Sequence, residues 1–510
     1  MTGGFRPRNV RRARQAQLAW LTLALTPALA CSSCGQATSD SSAPPASPSP
    51  AQVPVPDRPH GLFVLNPPAS GNLHDRDVVP ALLCRGPLDP FSTCQAKGAG
   101  FDAVKGATFQ VHWNDVQPTN GPADWSAVDA EVREWAAAGK QANLIFQAAG
   151  YGDVNSFTPH WYETPVAIVR ASQTSGSHAI SLQTASAMGF FVGSAAGQWI
   201  QLKGTNTTPS LDGTYPVLTF DGANHLTALG IAANDAAGTA TAGTAGNPMY
   251  GAPCASGNLP VQWSPNFVQA WQSLMQQAVA HFGSTAAVGY LRFGLGLGGE
   301  NTPTRGTEDA ACQALMTSLS FTDVAAPWPA PDGSAWPLVA ARWIAYQKTM
   351  SDYLGSLRSS KLITFSLSEI NHVHPDESTP DAAAASAVAA GLAIGNQGWR
   401  ESDSTTYASG GRCSGDYCRL FDLYRGQVPF ELQSVLASNP PPTSGMTGSL
   451  VAMFPVAMDR GAQILEIYLD DWLCTFDSGY SPPSGSGSTH ATCVAAGYPA
   501  AFTAAAARLN

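Results

Sequence analysis

From Gly61 onward, short apolar runs alternate with amphipathic stretches. Eight runs read as strands: GLFVLNP (61–67), ATFQVHW (107–113), ANLIFQA (142–148), VGYLRFGL (288–295), LITFSLS (362–368), GLAIGNQ (391–397), GQVPFEL (426–432) and AQILEIY (462–468). Most are nearly continuous in apolar residues, the pattern of parallel strands covered on both faces. Helical periodicity separates them. DWSAVDAEVREWAAA (124–138) opens on an acidic cap and stops at Gly139. Pro265 to Phe282 follows Ser264 as N-cap, with proline in the first turn. Trp343 to Leu357 precedes the fifth strand, and the helix after the seventh is interrupted by NPPPTSG (439–445). Eight strands alternating with helices across residues 59–510 predict an α/β fold, a (β/α)8 TIM barrel.

The alternation breaks once. Between the third strand and Pro265, FFVG, QWIQLKG, GTYPVLTF and HLTALGI are separated by Gly, Asn and Asp turns. This predicts an inserted β-rich module over 176–245, after strand three. The stretch IQLKGTNTTPSLDGTYPVLTFDG resembles small β-modules of modular surface and phage-tail proteins.

The ends alter the picture. Arg6, Arg8, Arg11, Arg12 and Arg14 precede a short apolar core, Leu18 to Leu25, and Ala28-Leu29-Ala30 offers small residues for cleavage. Residues 1–30 therefore read as a signal peptide. Cys31 follows at once, and the segment resembles a bacterial lipoprotein signal, in which Cys31 would carry the lipid. Residues 31–58, rich in Ser and Pro, read as an extended tether. The expectation is an exported chain, held at the cell envelope through Cys31 or secreted.

Setting aside Cys31 and Cys34 leaves eight of the ten cysteines. Sequence neighbours suggest Cys84–Cys94, Cys413–Cys418 and Cys474–Cys493, with Cys254–Cys312 as remainder, although eight cysteines allow 105 connectivities. Such staples suit an oxidising compartment. No zinc spacing of the CxxC…CxxC or HExxH kind is present, and SEINHVHPDE, with Glu369, His372 and His374, lacks a diagnostic one. No metal and no cofactor are expected. With the five leader arginines set aside from the 26 basic residues, 21 face 36 acidic ones. That balance repels phosphate backbones and excludes nucleic acid as a partner. The oligomeric state is not readable.

In a barrel of this type, chemistry gathers at the C-terminal ends of the strands. Strand two ends in His112 and Trp113, followed by Asn114 and Asp115; strand four leads through a glycine-rich turn to Glu300 and Asn301. Strand six supplies Asn396, Gln397 and Trp399; strand seven Glu431 and Gln433; strand eight Glu466, Tyr468, Asp470, Asp471 and Trp472. Two carboxyl groups flanking one substrate are the usual apparatus for cleaving a glycosidic bond.

These segments resemble a known family. VHWNDVQPTNGPADWSAVDAEVREWAAAGKQ, WSPNFVQAWQSLMQQAVAHFG…VGYLRFGLGLGGE and GAQILEIYLDDW are similar to the corresponding segments of the retaining glycoside hydrolases with (β/α)8 barrels, the clan A or 4/7 enzymes. The resemblance implies Glu300 as acid/base and Glu431 as nucleophile, with Glu466 the alternative if a strand is miscounted. It further implies a carbohydrate substrate, contacted by His112, Trp113, Asn301, Asn396, Trp399, Tyr468 and Trp472. The family usually carries Asn before the acid/base; here Gly299 stands there and Asn301 follows. That departure motivates an alternative expectation, a non-catalytic carbohydrate-binding barrel lipoprotein.

Overall fold

The computed structural model describes residues 59–66, 100–150, 157–174, 179–229, 238–252, 254–255, 257–303, 310–319, 336–368, 378–401, 417–434, 448–478 and 489–509. The expected leader, Cys31 and tether lie outside the described residues. So do Glu369, His372 and His374, and the side chains needed to test the Cys84–Cys94 and Cys413–Cys418 pairings.

All eight barrel strands are present. They are β1 (Gly61–Asn66), β2 (Gly106–His112), β3 (Gln141–Gln147), β13 (Val288–Phe293), β14 (Leu362–Ser366), β15 (Ala393–Trp399), β16 (Phe430–Ser434) and β17 (Ala462–Tyr468), with nine further strands between β3 and β13. They close in the order β1-β17-β16-β15-β14-β13-β3-β2. Every neighbouring pair is parallel. The expected TIM barrel is the observed fold.

Alternation along each strand divides the residues between two cores. Val64, Phe109, Leu144, Phe293, Phe365, Leu432 and Ile467 point outward and pack under the helices with Trp135, Trp271 and Met453. Phe63, Tyr290, Leu362, Ala393 and Ile464 point inward and form a small apolar floor inside the barrel. Above this floor the inward positions turn polar, and that region carries the candidate site.

Two helices start beside the residues expected to begin them. The Asp124 carboxylate accepts from the Ser126 amide at 2.9 Å ahead of the helix Ser126–Ala137. Ser264 Oγ accepts from the Phe267 amide at 3.2 Å and opens the helix Pro265–Phe282, which buries Phe267, Trp271, Leu274 and Phe282. The helix before β14 is longer than expected, Trp336–Ser356.

The seventh barrel strand is displaced from its expected position. Residues 426–429 are not strand: the helix Tyr417–Tyr424 leaves through a turn with Gly426 at φ 76° and Gln427 N donating to Tyr424 O at 3.0 Å. Pro429 has no N–H to give, although its carbonyl accepts from Ile394 N at 3.2 Å. The strand therefore runs Phe430–Ser434, and Glu431 is its second residue rather than near its end.

The insertion starts earlier than the expected 176. It comprises β4 (Val166–Gln173), β5 (Ala179–Thr184), β6 (Trp199–Lys203), β7 (Gly213–Phe220), β8 (His225–Leu229), β9 (Gly238–Ala240) and β10 (Thr244–Gly246). These form one antiparallel sheet ordered β10-β6-β7-β8-β5-β4-β9, curled so that β10 also meets β4. A separate apolar core, including Ile168, Leu182, Ile200, Tyr215 and Val217, fills it. A short ladder of β11 (Met249–Tyr250) and β12 (Leu259–Pro260) leads back to the barrel. Buried Asn266, in the first turn of the helix Pro265–Phe282, ties the sheet down. It accepts from Trp199 N at 2.6 Å, and its amide donates to Trp199 O at 2.8 Å and Asn247 Oδ1 at 2.6 Å.

Two disulfides are described, Cys254–Cys312 and Cys474–Cys493, both in the expected pairing. Among the described residues, no helix is long and apolar enough to cross a membrane.

Candidate active site

The polar interior above the apolar floor centres on Arg292, an inward residue of β13 that is 1% exposed. Its Nη1 donates to Glu431 Oε1 at 3.0 Å and to Glu466 Oε2 at 3.2 Å, and its Nη2 donates to Gln433 Oε1 at 3.0 Å. Glu466 also accepts from the Tyr290 and Thr108 hydroxyls. Glu431 accepts from Gln397 Nε2 at 3.0 Å, and the Gln397 carbonyl is held by the Ser366 hydroxyl. Asn143 Nδ2 donates to Thr108 Oγ1 at 3.3 Å. Seven strands thus contribute to one connected network.

The two carboxyl groups have unequal surroundings. Glu431 is 0% and Glu466 1% exposed, and they share one guanidinium. With both ionised the cluster would carry one surplus negative charge away from water, which is costly. Burial, chiefly, pushes the Glu431 carboxyl well above the ordinary carboxylate range; Arg292 opposes this, while Glu466 reinforces it through its charge and a hydrogen bond. Burial disfavours the Arg292 charge, but Glu431 and Glu466 outweigh it and hold the guanidinium protonated. Burial and the Glu466 charge keep the Tyr290 hydroxyl protonated, so it remains a donor. Glu431, pushed up by burial, is suited to hold the proton, whereas Glu466 accepts from two hydroxyls and a guanidinium.

Glu300 lies on the loop after β13 and is half-buried. That loop is tightly built. Glu300 N donates to Leu297 O, and Gly296 N donates to Glu300 O, both at 2.9 Å. Gly294 N bonds Phe146 O and Gly298 N bonds Ala149 O, each at 2.9 Å, so the loop continues the parallel pairing with β3. Gly299 has φ 79°, and a Cβ there would lie 2.6 Å from Ile145 Cγ2 and 3.0 Å from Gln147 Nε2. Only glycine fits this bend over the end of β3.

The other expected contact residues divide by position. His112 is inward at the end of β2, 3% exposed. Its Nδ1 sits 3.3 Å from Asp115 Oδ2, and its ring stacks on Phe157 at 3.6 Å between centroids. Asn301 is spent on the loop: its Nδ2 donates to Ser366 O at 2.6 Å and its Oδ1 accepts from Leu295 N at 3.2 Å. Asn396 Oδ1 accepts from Gly398 N at 2.7 Å. Tyr468, half-buried, stands at the N-cap position of the helix Leu469–Phe476 without a side-chain capping bond. Trp113, Trp399 and Trp472 belong to the outer core, at 0%, 4% and 1% exposure, and offer no free ring face to a ligand. Trp113 lies among Trp161, Tyr162, Phe267 and Trp271, with its Nε1 donating to Gln117 Oε1 at 2.7 Å.

Arg292, Tyr290, Thr108, Asn143 and Gln147 escaped the sequence reading. A signal was present: polar residues recur at every second position of otherwise apolar runs, as in Tyr290/Arg292 and Thr108/Gln110/His112. In a strand covered on both faces, that recurrence marks the barrel interior. Among the described residues, no group of three or more His, Cys, Asp or Glu is placed to hold a metal ion.

No family model matches the chain, and no curated protein matches it. Solved structures that resemble it are barrel enzymes of low identity. An exo-β-1,4-mannosidase from Opitutaceae bacterium strain TAV5 is 11% identical at TM-score 0.36, over 82% of this chain and 54% of that one. A cold-adapted β-galactosidase from Rahnella sp. R3 is 12% identical at TM-score 0.40, over 88% and 57%. A β-galactosidase from the psychrophilic Marinomonas ef1 is 10% identical at TM-score 0.39, over 86% and 59%. The chain spans between 54% and 59% of the length of these three. Scores of this size leave the functional argument to the chain's own residues.

Proposed function

We propose that the chain hydrolyses glycosidic bonds of an oligo- or polysaccharide outside the cytoplasm, with retention of configuration. Glu300 serves as acid/base from the loop after β13. The ionised member of the interior pair serves as nucleophile, and its surroundings favour Glu466 over Glu431. The observation that carries this reading is the unequal environment of two carboxyl groups sharing one cation inside a TIM barrel. A nucleophile must be ionised to attack the sugar, and this asymmetry selects which of the pair attacks while Glu300 supplies the proton. Export is supported by the disulfides Cys254–Cys312 and Cys474–Cys493, which suit an oxidising compartment; anchoring through Cys31 is part of the same proposal.

The test is hydrolysis of both anomers of para-nitrophenyl glucoside, galactoside and mannoside. Glu300→Gln and Glu466→Gln should each lower kcat by about 10²- to 10⁴-fold on any glycoside the parent cleaves. Product configuration, read by proton NMR before mutarotation, should match the substrate's. Unaltered rates in both variants would sink the assignment.

One observation favours a second reading. Glu431 and Glu466 are almost wholly enclosed and already satisfied by Arg292, Tyr290, Thr108 and Gln397. A barrel that binds carbohydrate without cleaving it would keep such a network as structure. Glycan binding without turnover of any glycoside would select that reading.

A further inference from the structure

The ends of β2 and β3 carry a pair of buried nitrogens that the network around Arg292 does not use. His112 and Gln147 are register partners on adjacent parallel strands, and both occupy inward positions. They are 3% and 1% exposed. Among the described residues, His112 Nε2 and Gln147 Nε2 each lack a hydrogen-bond partner. A buried, unsatisfied polar atom is costly, and two side by side at the mouth end of a barrel point to a ligand group that completes them.

The chemistry of that group follows from the two atoms. The Asp115 carboxylate, 3.3 Å from His112 Nδ1, can only accept, so Nδ1 carries the imidazole proton. Phe157, stacked 3.6 Å away and tilted by 7°, fixes the ring plane. In the neutral imidazole His112 Nε2 is then an acceptor. Gln147 Nε2 is an amide donor. Adjacent strands stand about 4.8 Å apart, so one small group can reach both side chains. It must accept one hydrogen bond and donate another, which is what an alcohol does. An anion is disfavoured, because the nearby cation, Arg292, is already shared by two carboxyl groups. Gly299 packs over this nitrogen: a Cβ there would lie 3.0 Å from Gln147 Nε2, so any side chain at 299 would compete for it.

We propose that His112 and Gln147 form a cradle for a single sugar hydroxyl, Gln147 donating to its oxygen and His112 Nε2 accepting its proton. This deepens the carbohydrate reading above and rests on it. The cradle sets which ring hydroxyl the substrate must present. His112 and Gln147 are specificity-determining residues in this scheme and take no part in bond cleavage.

The experiment pairs two variants, His112→Phe and Gln147→Met, with monodeoxy forms of the para-nitrophenyl glycosides, each lacking one ring hydroxyl. Methyl glycosides and their monodeoxy forms, titrated by calorimetry, give a binding readout that needs no turnover. Thermal unfolding checks that both variants are folded. Each variant should lose about ten- to a hundredfold in kcat/KM, or in affinity, for the parent sugar. One particular monodeoxy sugar should suffer a similar loss with the wild type and no further loss with either variant. Equal additional losses for every monodeoxy sugar would overturn the cradle while leaving hydrolysis intact. Binding with that coupling but no turnover would keep the cradle and remove the hydrolase reading. Absence of both binding and turnover across the panel would overturn both.

Discussion

Glu431→Gln keeps the shape of a protonated glutamic acid and removes its proton equilibrium. The Glu431 carboxyl is pushed up in the folded chain, mainly by burial. The folded state therefore holds that proton more tightly than the unfolded state does. Its contribution to stability is full below the ordinary carboxyl range and is lost as pH rises through the raised value. Urea unfolding from about pH 5 to about pH 8 should show the wild type losing stability relative to Glu431→Gln as pH rises. A constant difference across the series would mean that the proton resides elsewhere. Arg292→Met strips the pair of its cation and should cost about 3–5 kcal/mol in the same measurement. At this scale the sequence was only partly legible. It named Glu431 and Glu466 but not the arginine between them, because strand ends were weighed and interior positions were not. It placed Trp113, Trp399 and Trp472 at a binding surface. One-residue alternation sends Trp113 outward next to inward His112, and Trp399 lies past a register shift in β15.

The elements were read more faithfully. Continuous apolar runs betray strands covered by helices, and Ser264 with Pro265 marks a helix start that hydrogen bonding bears out. The displaced β16 shows where the pattern fails: Val428 and Pro429 extend an apolar run, but a helix exit through Gly426 claims them first. The first strand of the insertion was missed because VAIVRASQ, with an arginine and exposed valine, has no clear in-and-out rhythm. Asn266 makes three of the hydrogen bonds at the seam between that insertion and the barrel. Asn266→Ala would leave Trp199 N, Trp199 O and Asn247 Oδ1 without their buried partner. The expected cost is about 1–3 kcal/mol, confined to the inserted sheet. Hydrogen exchange should report faster amides in β5 to β8 with β13 and β14 unchanged. Uniform acceleration across both would show that the two cores unfold as one.

The whole molecule joins a barrel of distant pairings to a sheet of near ones. β1 finds its second neighbour in β17, close to the other end of the described chain, while β4 to β10 pair among themselves. Loop closure over long separations is slow, so contacts near in sequence form first. Pulse-labelled hydrogen exchange during refolding should protect β5, β7 and β8 before β1. Simultaneous protection would contradict that order. The topology was legible as a count of eight strands; the depth of each carboxyl group was not, since depth depends on register and register on the completed ring.

The separate core of the inserted sheet acquires another meaning for a chain made from its N-terminus. The sheet is synthesised before the helix that anchors it, and the ring waits for the last strand of all. During that interval, β1 to β3 have apolar faces and open edges but no finished barrel, the condition in which chains aggregate. The sheet, with its own core between β3 and the anchoring helix, can be complete at that time. It divides the first three barrel strands from the other five and gives the emerging chain a folded body before the polar interior can form.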